Sequence, residues 1–383
     1  MKRLATILAL LLPLTARAAY DPAFGDDIDR TADDFVTVSL VVADPGAVLY
    51  SRLGHAALHM QCPSFELDYV FSYESEDTEN RFFSFMAGKL KMGMYAIPMN
   101  DYLEGYRNDG RGVREYKLNL PPAAKSELWR ILDISLEKGV NLEYDYIKRG
   151  CAQSTLQFLI AGLKAAGFKF EYGPWPEHFK GATRGEIARH FLKNDKWACL
   201  MLSFLTNGII NDTSCSNVQK VIIPSDLVLV LQNAKVDDVE VIDTEPKEIL
   251  NGDGNLQAFP VSPSMLVLLL MVLWILFRLH GCYVMDYILL GIQTVLGTAI
   301  VYMVFFSSLV CTEWSWLIIP FNPLPLIFWK WRRWWQLPYC GVLLVWCGFM
   351  IFWPHQLTDP AYIILTFTLA LSYAPNSVKT IKK

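Results

Sequence analysis

Cys151 lies in Lys148-Arg149-Gly150-Cys151-Ala152-Gln153-Ser154-Thr155, at the head of an apolar helical period through Leu156, Leu159, Ile160 and Leu163. A thiol in the first turn of a helix meets unpaired N–H groups and the positive end of the helix dipole. Both favour the thiolate, which is the nucleophilic form. Lys148 and Arg149 add positive charge nearby, and Gly150 leaves space for a substrate to approach the sulfur. Position alone fits a buried small hydrophobe or half of a disulfide equally well.

A thiolate nucleophile needs a base, most often a histidine oriented by a third polar group. His55 follows Gly54 at the head of a strand-like stretch and fits that role. A hairpin closing at Cys62-Pro63 puts positions 55, 57 and 59 on one face with Glu66 and Asp68, either of which can orient the ring. His59 shares the face but sits ~13 Å further along the strand, so it is the weaker base candidate. His178 and His190 read as structural or exposed. Arg107, Arg111 and Arg114 can receive a phosphate, though solvated basic residues on a surface look the same.

The elements that must hold these residues follow from period and punctuation. Phe35–Ala43 alternates as a strand and ends at Asp44-Pro45-Gly46. Gly54–Met60, Phe65–Tyr73 and Gly112–Leu118 read as further strands. Tyr102–Tyr106 reads as helix, and Pro121–Glu137 has a helical apolar period behind an initial proline. Leu142–Arg149 then leads into the helix of Cys151, which extends to Gly167. Strands followed by a cysteine-headed helix make an α+β domain.

The 383-residue chain is 53% hydrophobic, and that average hides two regimes. Up to about Gln257 the composition is that of a globular domain, whereas from Phe259 onward apolar residues dominate. The expected division is a signal peptide over 1–19, an extracytoplasmic domain over 20–257 and a membrane domain over 258–383. Lys2 and Arg3, the short apolar run Leu4–Leu14 and the Ala16-Arg17-Ala18 site carry the first of these. In an oxidising compartment Cys199 and Cys215 can pair, although spacing alone does not set connectivity.

Five apolar segments follow: Met265–Phe277, Tyr287–Leu309, Trp316–Trp329, Tyr339–Trp353 and Ala361–Tyr373. The third contains Pro320, Pro323 and Pro325 and reads as kinked or re-entrant. Arg278 and His280, then Lys330, Arg332 and Arg333, then Lys379, Lys382 and Lys383 fall on one side of five alternating crossings. Glu313 and Asp359 fall on the other. Basic loops belong in the cytoplasm, so the N-terminal domain is expected outside and the C-terminus inside. Glu313 and Asn322 flank the third segment, where polar groups can line a headgroup site. The net charge of −4 and the absence of a basic patch argue against nucleic acid. No metal-ligand cluster or phosphate-binding glycine loop is evident, and no cofactor is expected.

Four motifs carry a resemblance: Gly54-His55-Ala56-Ala57-Leu58, Leu67-Asp68-Tyr69-Val70-Phe71-Ser72-Tyr73, Gly110-Arg111-Gly112-Val113-Arg114-Glu115 and Gly150-Cys151-Ala152-Gln153-Ser154-Thr155. In this order, with Phe321-Asn322-Pro323-Leu324 later, they resemble the Lnb N-terminal periplasmic domain family, lipoprotein N-acyltransferases of gut anaerobes. Gly150 stands where many relatives have Asn. The order His, acid, Cys also resembles the circularly permuted papain-like fold of lecithin:retinol acyltransferases. The resemblance implies a permuted papain-like domain, five transmembrane helices and a bacterial inner-membrane location. It further implies acyl transfer from a phospholipid, through a Cys151 thioester, to the α-amino group of a lipoprotein. His55 and Asp68 would assist. On their charge and position, and not on the resemblance, Arg111, Arg114 and Asn322 are the candidates for binding substrate. A membrane-tethered papain-like cysteine hydrolase, such as a cell-wall peptidase or amidase, is the rival reading, and a non-enzymatic membrane partner with a structural Cys151 is a second.

Overall fold

A computed structural model describes residues 35–47, 51–75, 82–139, 142–143, 145, 149–173, 175–206, 210, 220–253, 259–309, 315–352 and 359–374. The expected signal peptide, Lys148, Cys215, Glu313 and the C-terminal lysines lie outside those residues.

The N-terminal region is an antiparallel sheet with helices against it. Its strands are β1 (Thr37–Ala43), β2 (His55–Cys62), β3 (Leu67–Glu74), β4 (Lys91–Pro98), β5 (Val113–Lys117), β6 (Leu142–Glu143) and, further along, β10 (Lys247–Leu250). Three short strands, β7 (Phe170–Tyr172), β8 (Ala234–Val236) and β9 (Val239–Glu240), form a second sheet. The main sheet runs β10-β5-β1-β2-β3-β4-β6. Short helices α1 (Phe82–Met86) and α2 (Met99–Asn108) flank β4, and α3 (Pro122–Glu137) follows β5. Next come α4 (Cys151–Ala165), α5 (Arg184–Phe191), α6 (Lys196–Thr206) and α7 (Pro224–Gln232).

Alternation along β2 separates two faces. Ala56, Leu58 and Met60 pack with Leu128 and Leu132 of α3 and Leu156, Leu159 and Leu163 of α4, in the larger core. Ala57 turns the other way, toward Met99 and Tyr102 of α2. Burying a side chain of Leu size is worth roughly 1.5–3 kcal/mol, so α3 and α4 are pinned to the sheet by their apolar faces. That fixes where α4 begins, and hence where Cys151 stands.

The C-terminal region is helical: α8 (Pro263–Leu279), α9 (Val284–Phe306), the four-residue α10 (Leu324–Ile327), α11 (Arg332–Phe352) and α12 (Pro360–Tyr373). Two stretches, Val284–Phe306 and Trp329–Phe352, are long and apolar enough to cross a membrane. Helices α8 and α12 are apolar but shorter.

The third apolar segment is not a continuous helix. It consists of a 3-10 turn at Trp316–Ile318, the short α10 and a second 3-10 turn at Trp329–Trp331. Proline lacks an N–H and clashes with the preceding helical turn, so Pro320, Pro323 and Pro325 stop any longer helix. The segment nevertheless runs antiparallel along the length of α11. Trp316 stacks on Phe349 with ring centroids 5.0 Å apart. Tyr339 Oη lies 3.0 Å from the Ile319 carbonyl oxygen, and Trp335 donates to the Phe328 carbonyl at 2.9 Å.

Side chains satisfy the broken backbone. Gln293 donates to the Pro320 carbonyl at 2.7 Å, and Asn322 donates to the Ile319 carbonyl at 2.9 Å. The Asn322 carbonyl oxygen accepts from the Leu324 N–H at 3.1 Å. A Cβ on Gly297 would come within 2.4 Å of the Asn322 nitrogen, so only glycine lets α9 lie against this turn.

The sheet domain sits on one end of the bundle. One continuous apolar cluster joins Cys199, Leu202 and Leu205 of α6 to Trp274, Phe321, Leu343 and Tyr362. Ser308, just past α9, donates to the Gly88 carbonyl at 2.7 Å, and Trp197 donates to the Val261 carbonyl at 2.9 Å. Arg278 and Arg332 belong to the opposite end, because α8 leaves the sheet domain at Pro263 and α12 at Pro360.

Candidate active site

Gly54 begins the site. Its φ of +80° is a left-handed conformation, and a Cβ there would approach the Ala43 carbonyl oxygen to 2.9 Å. This turn lets β2 begin at His55 beside the end of β1. Leu53, one residue earlier, packs against the apolar cluster shared with the helical bundle.

Helix α4 delivers Cys151 to the same place. The backbone N–H groups of Ala56, Cys151 and Ala152 are directed at its sulfur. Ala56 follows His55, so the thiol and the imidazole belong to one corner of the sheet. Burial pushes the Cys151 thiol above its ordinary range, the three N–H groups oppose that, and the Glu74 charge adds to it. The N–H groups at the helix start act in the expected direction, toward the thiolate, but desolvation outweighs them.

His55 Nε2 lies 2.7 Å from Ser72 Oγ, and Ser72 donates to Glu74 Oε2 at 3.2 Å. A carboxylate only accepts, so the Ser72 hydrogen goes to Glu74 and its oxygen is left to accept from His55 Nε2–H. That assignment leaves Nδ1 as the nitrogen with a free lone pair. Burial, reinforced by the positive charge of Arg111, pushes His55 down to about 4. Both directions favour the uncharged forms at rest, a neutral imidazole and a neutral thiol.

Arg111 is buried, with its guanidinium 4.6 Å above the Tyr106 ring and Nε donating to the Asp44 carbonyl at 2.7 Å. Its Nη2 is buried with no hydrogen-bond partner among the described residues. An orphaned buried donor whose charge is felt by His55 is suited to an anion or an oxyanion.

Three residues picked from sequence stand elsewhere. Asp68, expected to orient His55, lies 2.5 Å from His59 Nε2, while Glu115 holds His59 Nδ1 at 2.6 Å. The hairpin register pairs Gln61 with Asp68 and Leu58 with Phe71, so Asp68 is too near the turn to reach His55. Continued to its open end, that register sets Glu74 opposite His55. Arg114 is exposed and pairs with Asp44 at 2.6 Å, which ties β5 to the loop after β1. Asn322 is buried in the turn inside the bundle, where its side chain serves backbone groups. Ser72 and Glu74 were missed, although their spacing of two puts them on the face of His55. Cys199 is a free thiol that donates to the Leu192 carbonyl at 3.4 Å. His178 and His190 are exposed, each with its ring against Phe179.

A family model described as the Lnb N-terminal periplasmic domain matches residues 28–173, and another described as the Lnb transmembrane domain matches 255–383. The chain belongs to the Lnb family. As a member of it, the protein is a membrane protein with a periplasmic N-terminal domain, of a type that processes lipoproteins. The Lnb periplasmic match contains both His55 and Cys151, and the Lnb transmembrane match contains all of α8 to α12. Neither the curated proteins nor the solved structures yielded a match to this chain.

Proposed function

We propose that this protein is a lipoprotein N-acyltransferase that moves an acyl chain from a phospholipid to the N-terminal diacylglyceryl-cysteine of lipoproteins. The observation that supports the reading is the corner of the sheet to which Cys151, three inward N–H groups and the His55–Ser72–Glu74 chain belong.

His55 Nδ1 takes the thiol proton as Cys151 Sγ attacks the ester carbonyl carbon. The N–H groups of Cys151 and Ala152, with Arg111 Nη2, hold the oxyanion. Its collapse breaks the ester C–O bond, and the glycerol oxygen leaves with the proton from His55 as lysophospholipid. The lipoprotein α-amine then attacks the thioester carbonyl, and His55 takes the amine proton. The thiolate departs and regains that proton, so both half-reactions return the same residues. Neutral resting partners suit this cycle, because the thiolate forms only when an ester is bound.

In this reading the domain boundaries near residues 20 and 257 hold, and the sheet domain is a permuted papain-like fold. The bundle crosses the membrane five times, the third time through the broken segment 316–331. Its carbonyls meet side chains of Gln293, Asn322 and Tyr339, as irregular backbone inside a membrane must. Arg278, Lys330, Arg332 and Arg333 then face the cytoplasm with the C-terminus.

The test is mass spectrometry of a lipoprotein's N-terminal peptide from cells lacking the gene, complemented with wild type or Cys151→Ala. Loss of the amide-linked acyl chain, restored only by wild type, supports acyl transfer by Cys151. An unchanged triacylated peptide in the deletion strain, with no second such enzyme present, overturns it in favour of a tethered hydrolase.

A further inference from the structure

A cavity of about 380 Å³ opens where the sheet domain meets the bundle, on surfaces separate from the His55–Cys151 corner. Arg189 of α5, Lys193 and Lys196 line it, and Asp359 is the one carboxylate among the described lining residues, with Glu186 and Asp195 close enough to act on Arg189 and Cys199. Its size is that of a small-molecule site. Lys193 and Lys196 are exposed and make no ion pair within 4 Å among the described residues. The rim also contains the first residues of α8 and α12, Pro263 and Pro360, whose helix dipoles add positive potential. Directly beyond the rim, Met265, Leu268, Leu269 and Val272 expose apolar side chains along α8. Cations above an apolar stripe match one amphiphile, a phosphate-bearing head carried on acyl chains.

We propose that this cavity binds the phosphate of an anionic glycerophospholipid from the outer leaflet, with its acyl chains along α8. The inference rests on the membrane placement proposed above and not on acyl transfer, so Cys151→Ala protein should bind lipid as wild type does. Full-length protein in detergent would be titrated with dioleoylphosphatidylglycerol, dioleoylglycerol or inorganic phosphate, with binding counted by native mass spectrometry.

Phosphatidylglycerol should bind, and the Lys193→Ala/Lys196→Ala variant should bind it about tenfold to thirtyfold more weakly. The Lys193→Arg/Lys196→Arg variant should restore binding, which separates lost charge from misfolding. Equal binding by wild type and the alanine variant would overturn the proposal. So would dioleoylglycerol binding as tightly, which would leave the apolar stripe alone responsible. Displacement of the lipid by equimolar inorganic phosphate would make this a free-phosphate site and overturn the lipid assignment.

Discussion

His55 and His59 occupy the same face of the same strand, four residues apart, yet the fold gives them opposite electrostatic settings. His59 lies between two carboxylates, with both ring nitrogens in hydrogen bonds. Burial alone would lower its pKa, but the bonds to Glu115 and Asp68 outweigh burial and raise it above 6.5. His55 has a hydroxyl at one nitrogen and Arg111 nearby, and burial with that charge brings it to about 4. A base that must accept a proton is needed neutral, and a structural clamp is best charged. The comparison teaches that the partners across the sheet, rather than the histidine's place in its strand, decide which role is open to it.

The sharpest way to break this contrast is to delete each ring. His55→Ala should lower acyl transfer by about 10²–10⁴-fold, as removal of a general base does, with little change in thermal stability. Cys151→Ala should abolish transfer, and a labelled acyl donor should then leave no thioester on the protein. If His59→Ala rather than His55→Ala removed activity at unchanged stability, the two roles would be reversed. A smaller effect is expected one bond further out. Glu74→Gln keeps the shape but weakens the hold on Ser72, and should reduce kcat about tenfold to a hundredfold with KM nearly unchanged.

The resting charge state can be read directly from alkylation. Burial holds the Cys151 thiol above its ordinary range and His55 is neutral, so iodoacetamide labelling should be slow near pH 7. It should rise only on the alkaline side of an ordinary thiol. A preformed thiolate–imidazolium pair would instead label rapidly near pH 6, and that result would break the neutral-pair mechanism.

The contrast also marks how far the sequence could be read. Cysteine at a helix start and histidine after a glycine at a strand head were legible because both depend on local backbone chemistry. The parity of β2 and β3 was legible too, from period-2 alternation. What parity does not carry is distance along a hairpin, and that is why it points to Asp68 and Glu66 and passes over Glu74. The 3-10 turn at Pro63–Phe65 sets the register, and one register decides every partner on the face. Desolvation of Cys151 was illegible for a related reason, since it depends on how α4 packs against β2. In the bundle, three prolines announced a broken third segment, but the assignment of Asn322 to its carbonyls required knowing that α9 and α11 close around the turn.

The smallest effect expected is a change in how stability depends on pH. His59 is raised above its unfolded pKa, so its contribution is fully present below about pH 6.5 and fades as pH rises through the folded value. Glu115 is lowered, chiefly by its hydrogen bond to His59, so its contribution is present above about pH 4.3 and fades as pH falls through the folded value. The clamp therefore stabilises most between those limits. His59→Gln should lower stability by about 1–3 kcal/mol within that window, because it removes a charged partner from two carboxylates. The loss should shrink toward alkaline pH, where wild-type His59 has given up its proton. Urea unfolding at pH 5.5 and 8.5 would measure both values. A loss of equal size at the two pH values would mean that His59 acts by packing alone, and the electrostatic half of the comparison would fall.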